Sequence, residues 1–98
     1  MRINFILNRS GHPEKKLADV EIHFDEGLLA GLKLTGFAVW RGNGARGPFV
    51  TFPSRPYEDA TGRRFFEYLR PSSTSPLAAR KFRDYIIEEY LKISESEA

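Results

Sequence analysis

Phe49-Val50-Thr51-Phe52-Pro53-Ser54-Arg55 is the stretch on which the fold turns. Its first four residues are of types that suit a pleated, half-buried strand, and Pro53 ends the run because it has no N–H for a ladder. Just before it, Gly42-Asn43-Gly44-Ala45-Arg46-Gly47 has the composition of a flexible hairpin turn. Further back lies an apolar run over residues 32–41, which reads as the strand on the other side of that turn. Leu32 and Leu34 occupy even positions and Phe37 and Val39 odd ones, with Gly36 where the phase changes. A strand can change phase by taking in one extra residue, so a β-bulge is expected at Gly36.

Outward on the N-terminal side, residues 2–8 alternate, with Ile3, Phe5 and Leu7 on one face. Ser10-Gly11-His12-Pro13 is a turn by composition. Residues 17–25 alternate again, Val20, Ile22 and Phe24 inward and Asp19, Glu21, His23 and Asp25 outward, the pattern of a half-buried antiparallel strand. Asp25-Glu26-Gly27 turns the chain.

On the C-terminal side, residues 53–62 contain two prolines and read as a loop, and residues 63–69 as a short fifth strand or extended segment. Arg70-Pro71-Ser72-Ser73-Thr74-Ser75-Pro76 breaks the pattern and introduces a helix. Ser75 suits the cap, and Pro76 the first helical position, where no N–H is needed. Ala78, Phe82, Ile86, Tyr90 and Ile93 follow at helical spacing as the expected buried stripe. Residues 94–98 read as a disordered acidic tail. Strands first and helix last give an α+β class: an antiparallel sheet of about five strands and one C-terminal helix, in a single domain over residues 1–93.

The chain has 98 residues, enough for one domain with a modest core, and association into a dimer would add burial. The absence of cysteine removes disulfides, thiol nucleophiles and cysteine zinc sites, and agrees with a cytoplasmic setting. No leader peptide is read at Met1-Arg2-Ile3-Asn4-Phe5, and no apolar run approaches the roughly 20 residues of a membrane span. Charge is unevenly distributed. Residues 41–83 hold nine basic residues against three acids, a balance of +6, whereas the remainder holds six against ten, a balance of −4. Eight of those nine are arginine, which favours planar, bidentate contact with phosphate. A basic middle between acidic ends is the footprint of a polyanion-binding surface.

Residues 42–47 satisfy the dinucleotide fingerprint G-x-G-x-x-G by letter. That chemistry requires a helix directly afterwards, whose first N–H groups hold the pyrophosphate. Strand-like Pro48-Phe49-Val50 follows instead, so no cofactor is expected. The helix carries Arg80, Lys81 and Arg83 in its first half and Glu88 and Glu89 toward its end, an order opposed to its own dipole. A basic first half adds to the positive helix end and attracts anions, although Arg80 paired with Asp84 would be an ordinary surface pair. Trp40, Phe65, Phe66 and Tyr68 are core candidates that also suit base stacking, and of the adjacent Phe65 and Phe66 one has to face away from a core. Catalysis has no constellation to support it. His12 falls in a turn, His23 on an outer strand face, and Ser72, Ser73, Thr74 and Ser75 lack a partnered base. No metal site is expected.

The hydrophobic strand ending in Gly42-Asn43, the Phe49-Val50-Thr51-Phe52-Pro53-Ser54-Arg55 element and Glu89-Tyr90 together resemble the SpoVG family (stage V sporulation protein G), over about residues 2–92. The resemblance implies a small antiparallel sheet with a C-terminal helix and a homodimer formed by strand exchange. It further implies a regulator of bacterial gene expression, linked to septation or sporulation, that binds DNA site-selectively and in some members RNA. By position, Arg55 matches the basic residue after Pro-Ser, and Lys81 and Arg83 fall in the helix region tied to binding. The expected contact set is Arg55, Arg63, Arg64, Arg80, Lys81 and Arg83, with no enzymatic activity. The alternative is a protein-interaction module whose basic surface meets an acidic protein.

Overall fold

The computed structural model describes residues 1–97, with side chains described through residue 94. The fold is α+β. Four strands, β1 (Arg2–Leu7), β2 (Lys16–His23), β3 (Lys33–Trp40) and β4 (Phe49–Thr51), form an antiparallel sheet in that order. Two more, β5 (Ser54–Asp59) and β6 (Gly62–Glu67), pair as a separate hairpin, and α1 (Ala78–Glu97) closes the chain.

Side-chain alternation sets which face of the sheet is buried. Ile3, Phe5 and Leu7 on β1 stand opposite Ile22, Val20 and Ala18 on β2, which in turn face Leu34, Phe37 and Val39 on β3. Val50 continues the row on β4. Between the Val20↔Phe37 and Ile22↔Leu34 pairs, β3 holds one residue more than β2. This is the bulge expected at Gly36, and it keeps Leu34 and Phe37 on one face despite their odd spacing. Gly36 has φ +101°, and a Cβ there would stand 2.8 Å from that of Pro53, so both backbone conformation and space require glycine.

The helix lies across this face. Ile86 is fully buried, and Phe82, Ile87 and Tyr90 pack beside it. Phe37, Phe52 and Phe82 form an edge-to-face triangle with centroids 5.3, 6.0 and 6.0 Å apart, and Phe5 meets Tyr90 at 5.9 Å. Such pairs add about 0.5–1.5 kcal/mol each beyond simple burial. Every buried side chain in this core is apolar.

Four expectations need correction. Residues 53–62, read as a loop, contain β5, so the described residues form six strands in two sheets rather than about five in one. The prolines misled because β5 is an edge strand, where proline is tolerated. Leu32 precedes β3 and is exposed, held in a turn by the bond from its N–H to the Leu29 carbonyl. The α-helix starts at Ala78, after a turn in which the Ala78 N–H bonds to the Ser75 carbonyl at 3.1 Å. Its buried stripe correspondingly uses Ala79, while Ala78 is exposed. At the other end, residues 94–97, assigned from sequence to an acidic tail, fall in the last turn of α1, and Ala98 lies outside the described residues.

Candidate nucleic-acid interface

The β5–β6 hairpin is built by its turn. Asp59 opens it and Gly62, with φ +114°, closes it. The Asp59 carboxylate accepts the Thr61 hydroxyl at 2.6 Å and the Thr61 N–H at 2.8 Å. These bonds, the hydroxyl first, hold the Asp59 carboxyl below its usual range. Arg64 closes the motif, its Nε donating to the Thr61 hydroxyl at 2.8 Å and standing 3.3 Å from Asp59.

Pairing across the hairpin sorts its side chains onto two faces. Arg55 opposes Phe66 and Tyr57 opposes Arg64 on the first face; Pro56 opposes Phe65 and Glu58 opposes Arg63 on the second. Beyond β6 the ladder continues through the bond from the Tyr68 N–H to the Pro53 carbonyl, so Tyr68 follows Phe66 on the first face. Both faces are open. Phe65 is 65% and Tyr68 60% exposed, and Phe66 and Tyr57 are each 38% exposed. The expectation that one of Phe65 and Phe66 faces away from a core was too narrow, because neither enters one.

Arginines lie over these rings. The Arg55 and Arg70 guanidiniums stand 5.5 and 5.1 Å from the Phe66 centroid, and Arg63 stands 5.9 Å from Phe65. A cation held over a ring keeps its N–H edges available to an anion. Among the described residues, Arg55, Arg63 and Arg70 form no ion pair, and neither do Arg80 and Lys81 at the start of α1. The Arg80–Asp84 pair that would have explained those charges as a helix-surface pair does not form.

The six residues singled out from sequence thus divide. Arg55 and Arg64 share the first hairpin face, Arg63 takes the second, and Arg80 and Lys81 project from the helix. Arg83, half-buried, is committed to partners within the chain. Its Nη2 donates to Glu67 Oε2 at 2.8 Å, and its guanidinium lies 4.2 Å from the Phe52 ring centre. Arg70 and Tyr57 share the hairpin surface but were not singled out from sequence, whereas Tyr68 was noted there as a ring suited to base stacking. The hairpin pairing, hidden by the loop reading of residues 53–62, places Tyr57, and the ring of Phe66 places Arg70.

A cleft of about 530 Å3 separates the second hairpin face from the free edge of β4, with Trp40, Phe65 and Arg83 among its walls. The Trp40 indole N–H is already used, donating to Thr51 Oγ1 at 2.8 Å. Gly42-Asn43-Gly44-Ala45-Arg46-Gly47 leads into β4, a strand, so no helix N-terminus stands behind that motif. Among the described residues, no group of three His, Asp or Glu side chains is placed to hold a metal ion, and no helix is long and apolar enough to cross a membrane. No protein-family model, curated protein or solved structure matches the chain.

Proposed function

We propose that this protein binds nucleic acid through the β5–β6 hairpin and the first half of α1, as a non-enzymatic regulator of bacterial gene expression. The observation that carries the reading is the set of unpaired arginines seated on exposed aromatic rings of the hairpin, with unpaired Arg80 and Lys81 on the helix. Guanidiniums without a carboxylate partner suit phosphate, and solvent-facing rings between them suit bases. The resemblance to the SpoVG family points the same way, toward a cytoplasmic regulator of septation or sporulation.

The reading includes a homodimer. A lone two-stranded hairpin is marginally stable in water, and this one offers Phe65 beside the unpaired edge of β4. A second copy that donates strand pairing to that edge would cover both.

The experiment is a binding competition between duplex DNA, single-stranded DNA and RNA across a series of salt concentrations. On duplex DNA, log affinity should fall with log salt at about −0.9 per phosphate neutralised. Six contacts would give a slope of about −5. A flat salt response, or no binding at low salt, would overturn the proposal and favour an acidic protein partner.

A further inference from the structure

The first hairpin face presents a ladder with a fixed repeat. Tyr57 and Arg55 on β5 and Phe66 on β6 share that face, and Tyr68 follows beyond the strand end. Phe66 and Tyr68 touch edge to face at 6.2 Å. Same-face neighbours along a strand recur every ~6.6–6.8 Å. Successive nucleotides of a stacked duplex strand advance only ~3.4 Å. Tyr57 and Tyr68 stand two such steps apart, ~13 Å, with Phe66 and its arginines between them, so a chain laid along this face stacks a base on each only if its bases are drawn apart from one another. A single strand can do this, whereas a duplex keeps its base faces inside the stack.

The division of labour between side chains agrees. Phe66 lies under the guanidiniums of Arg55 and Arg70 and so fixes two cations at the middle of the face. Tyr57 and Tyr68 lie to either side, and Tyr68 is 60% exposed. Rings flanking a pair of fixed arginines reproduce the pattern by which single-strand binders track a backbone and stack its bases. Arg64, held by Asp59 and Thr61, marks the turn end of the track.

Resting on the nucleic-acid reading above, we infer that this face is a single-strand binding platform: the bases stack on Tyr57 and Tyr68, and phosphates meet Arg55 and Arg70. Discrimination against duplex comes from the ring spacing, and it does not depend on the helix charges.

The test measures fluorescence anisotropy of a labelled 12-nucleotide single strand and of the duplex of the same sequence, with the full chain at equal salt. The single strand should bind at least 10-fold more tightly. Tyr57→Ala with Tyr68→Ala should weaken it by about 10-fold or more per ring, with the salt slope unchanged and duplex affinity unmoved. Tyr57→Phe with Tyr68→Phe should retain wild-type affinity, since the ring face and not the hydroxyl is used. Arg55→Ala with Arg70→Ala should instead flatten the salt slope by about 1.4, at ~0.7 per phosphate of a single strand. Equal or tighter duplex binding would overturn the inference while leaving the nucleic-acid reading intact, as would an alanine variant that weakens both ligands alike. Failure of both ligands to bind at 50 mM salt would overturn the two together. Comparing the two ligands on the wild-type chain decides the matter even if a variant unfolds.

Discussion

Arg83 on α1 and Glu67 on β6 are joined by a 2.8 Å charge-assisted hydrogen bond, and this pair ties the outlying hairpin to the helix. The same guanidinium rests on Phe52 of the core triangle, 4.2 Å from its centre. One side chain thus links core, helix and hairpin base. Both partners are partly exposed, at 35% and 41%, so the ion pair itself contributes at the modest level of surface pairs, ~0–1 kcal/mol.

Arg83→Ala should consequently cost about 1–2 kcal/mol, adding loss of the ring contact to loss of the ion pair. Thermal unfolding measures the total. Hydrogen exchange should quicken first in residues 54–67, because the hairpin has little else that holds it. A hairpin as protected as in wild type would show that Arg83 serves the helix alone.

Gly36→Ala tests the bulge. A methyl group there meets Pro53 at 2.8 Å, and the backbone sits at φ +101°. The strain of a side chain in that region is of order 1–3 kcal/mol, before any clash. Denaturant melts should lose at least that much, whereas alanine at Gly44, also at positive φ (+60°) but with nothing within 4 Å of a Cβ, should cost less because only the backbone strain remains.

Most of the main sheet was legible because its alternation is complete. Ile3, Phe5 and Leu7, then Val20 and Ile22, then Phe37 and Val39 each declare a face, and the phase change at Gly36 located the bulge. The hairpin was not legible. Its strands have no buried face, so Tyr57, Phe65 and Phe66 carry no inward–outward pattern, and Pro56 signals a loop to any reading that counts prolines. The site was half visible for the same reason. Arginine content marked the region, but which guanidinium is available depends on pairing: Arg83 finds Glu67, 16 residues away, while Arg55 finds only a ring.

Acid should weaken the fold through Glu21. Its carboxyl is lowered to about 2, by hydrogen bonds from Lys33 first and His23 next, with Asn4 adding a third. A carboxyl depressed in the folded state contributes stability that is present above its unfolded value, near 4.5, and is lost as pH falls toward about 2. Melting temperature should decline across that window, and Glu21→Gln should flatten the decline. An unchanged acid profile in the variant would assign the loss to other carboxylates.

Assembly should follow from the uncovered edge. Light scattering at micromolar concentration is expected to give about twice the 11.2 kDa chain mass. Phe65→Ser should shift the equilibrium toward monomer, since Phe65 is 65% exposed within one chain and borders the cleft beside β4. A chain that stays monomeric and fully folded would leave the hairpin as a solvated arm.

Variants of the helix charges test binding apart from folding, and the Arg83 contacts determine which residues can be used. Arg83→Glu would set a second carboxylate against Glu67 and damage the fold, so a loss of binding there would mean little. Arg80 and Lys81 are exposed and form no ion pair among the described residues. Replacing both by Glu near the helix start should leave stability within about 0.5 kcal/mol, because it improves the match to the dipole and exposed charges contribute little. Nucleic-acid affinity should nevertheless fall by orders of magnitude and the salt slope should flatten if these side chains meet phosphates. The control is Arg2→Glu with Lys92→Glu, the same change in charge at positions whose pairs, 3.7 and 3.5 Å, are long and exposed. Equal weakening by both double variants would mean that net charge governs binding. The helix would then lose its part in the interface, and Arg55, Arg63 and Arg70 on the hairpin would carry it alone.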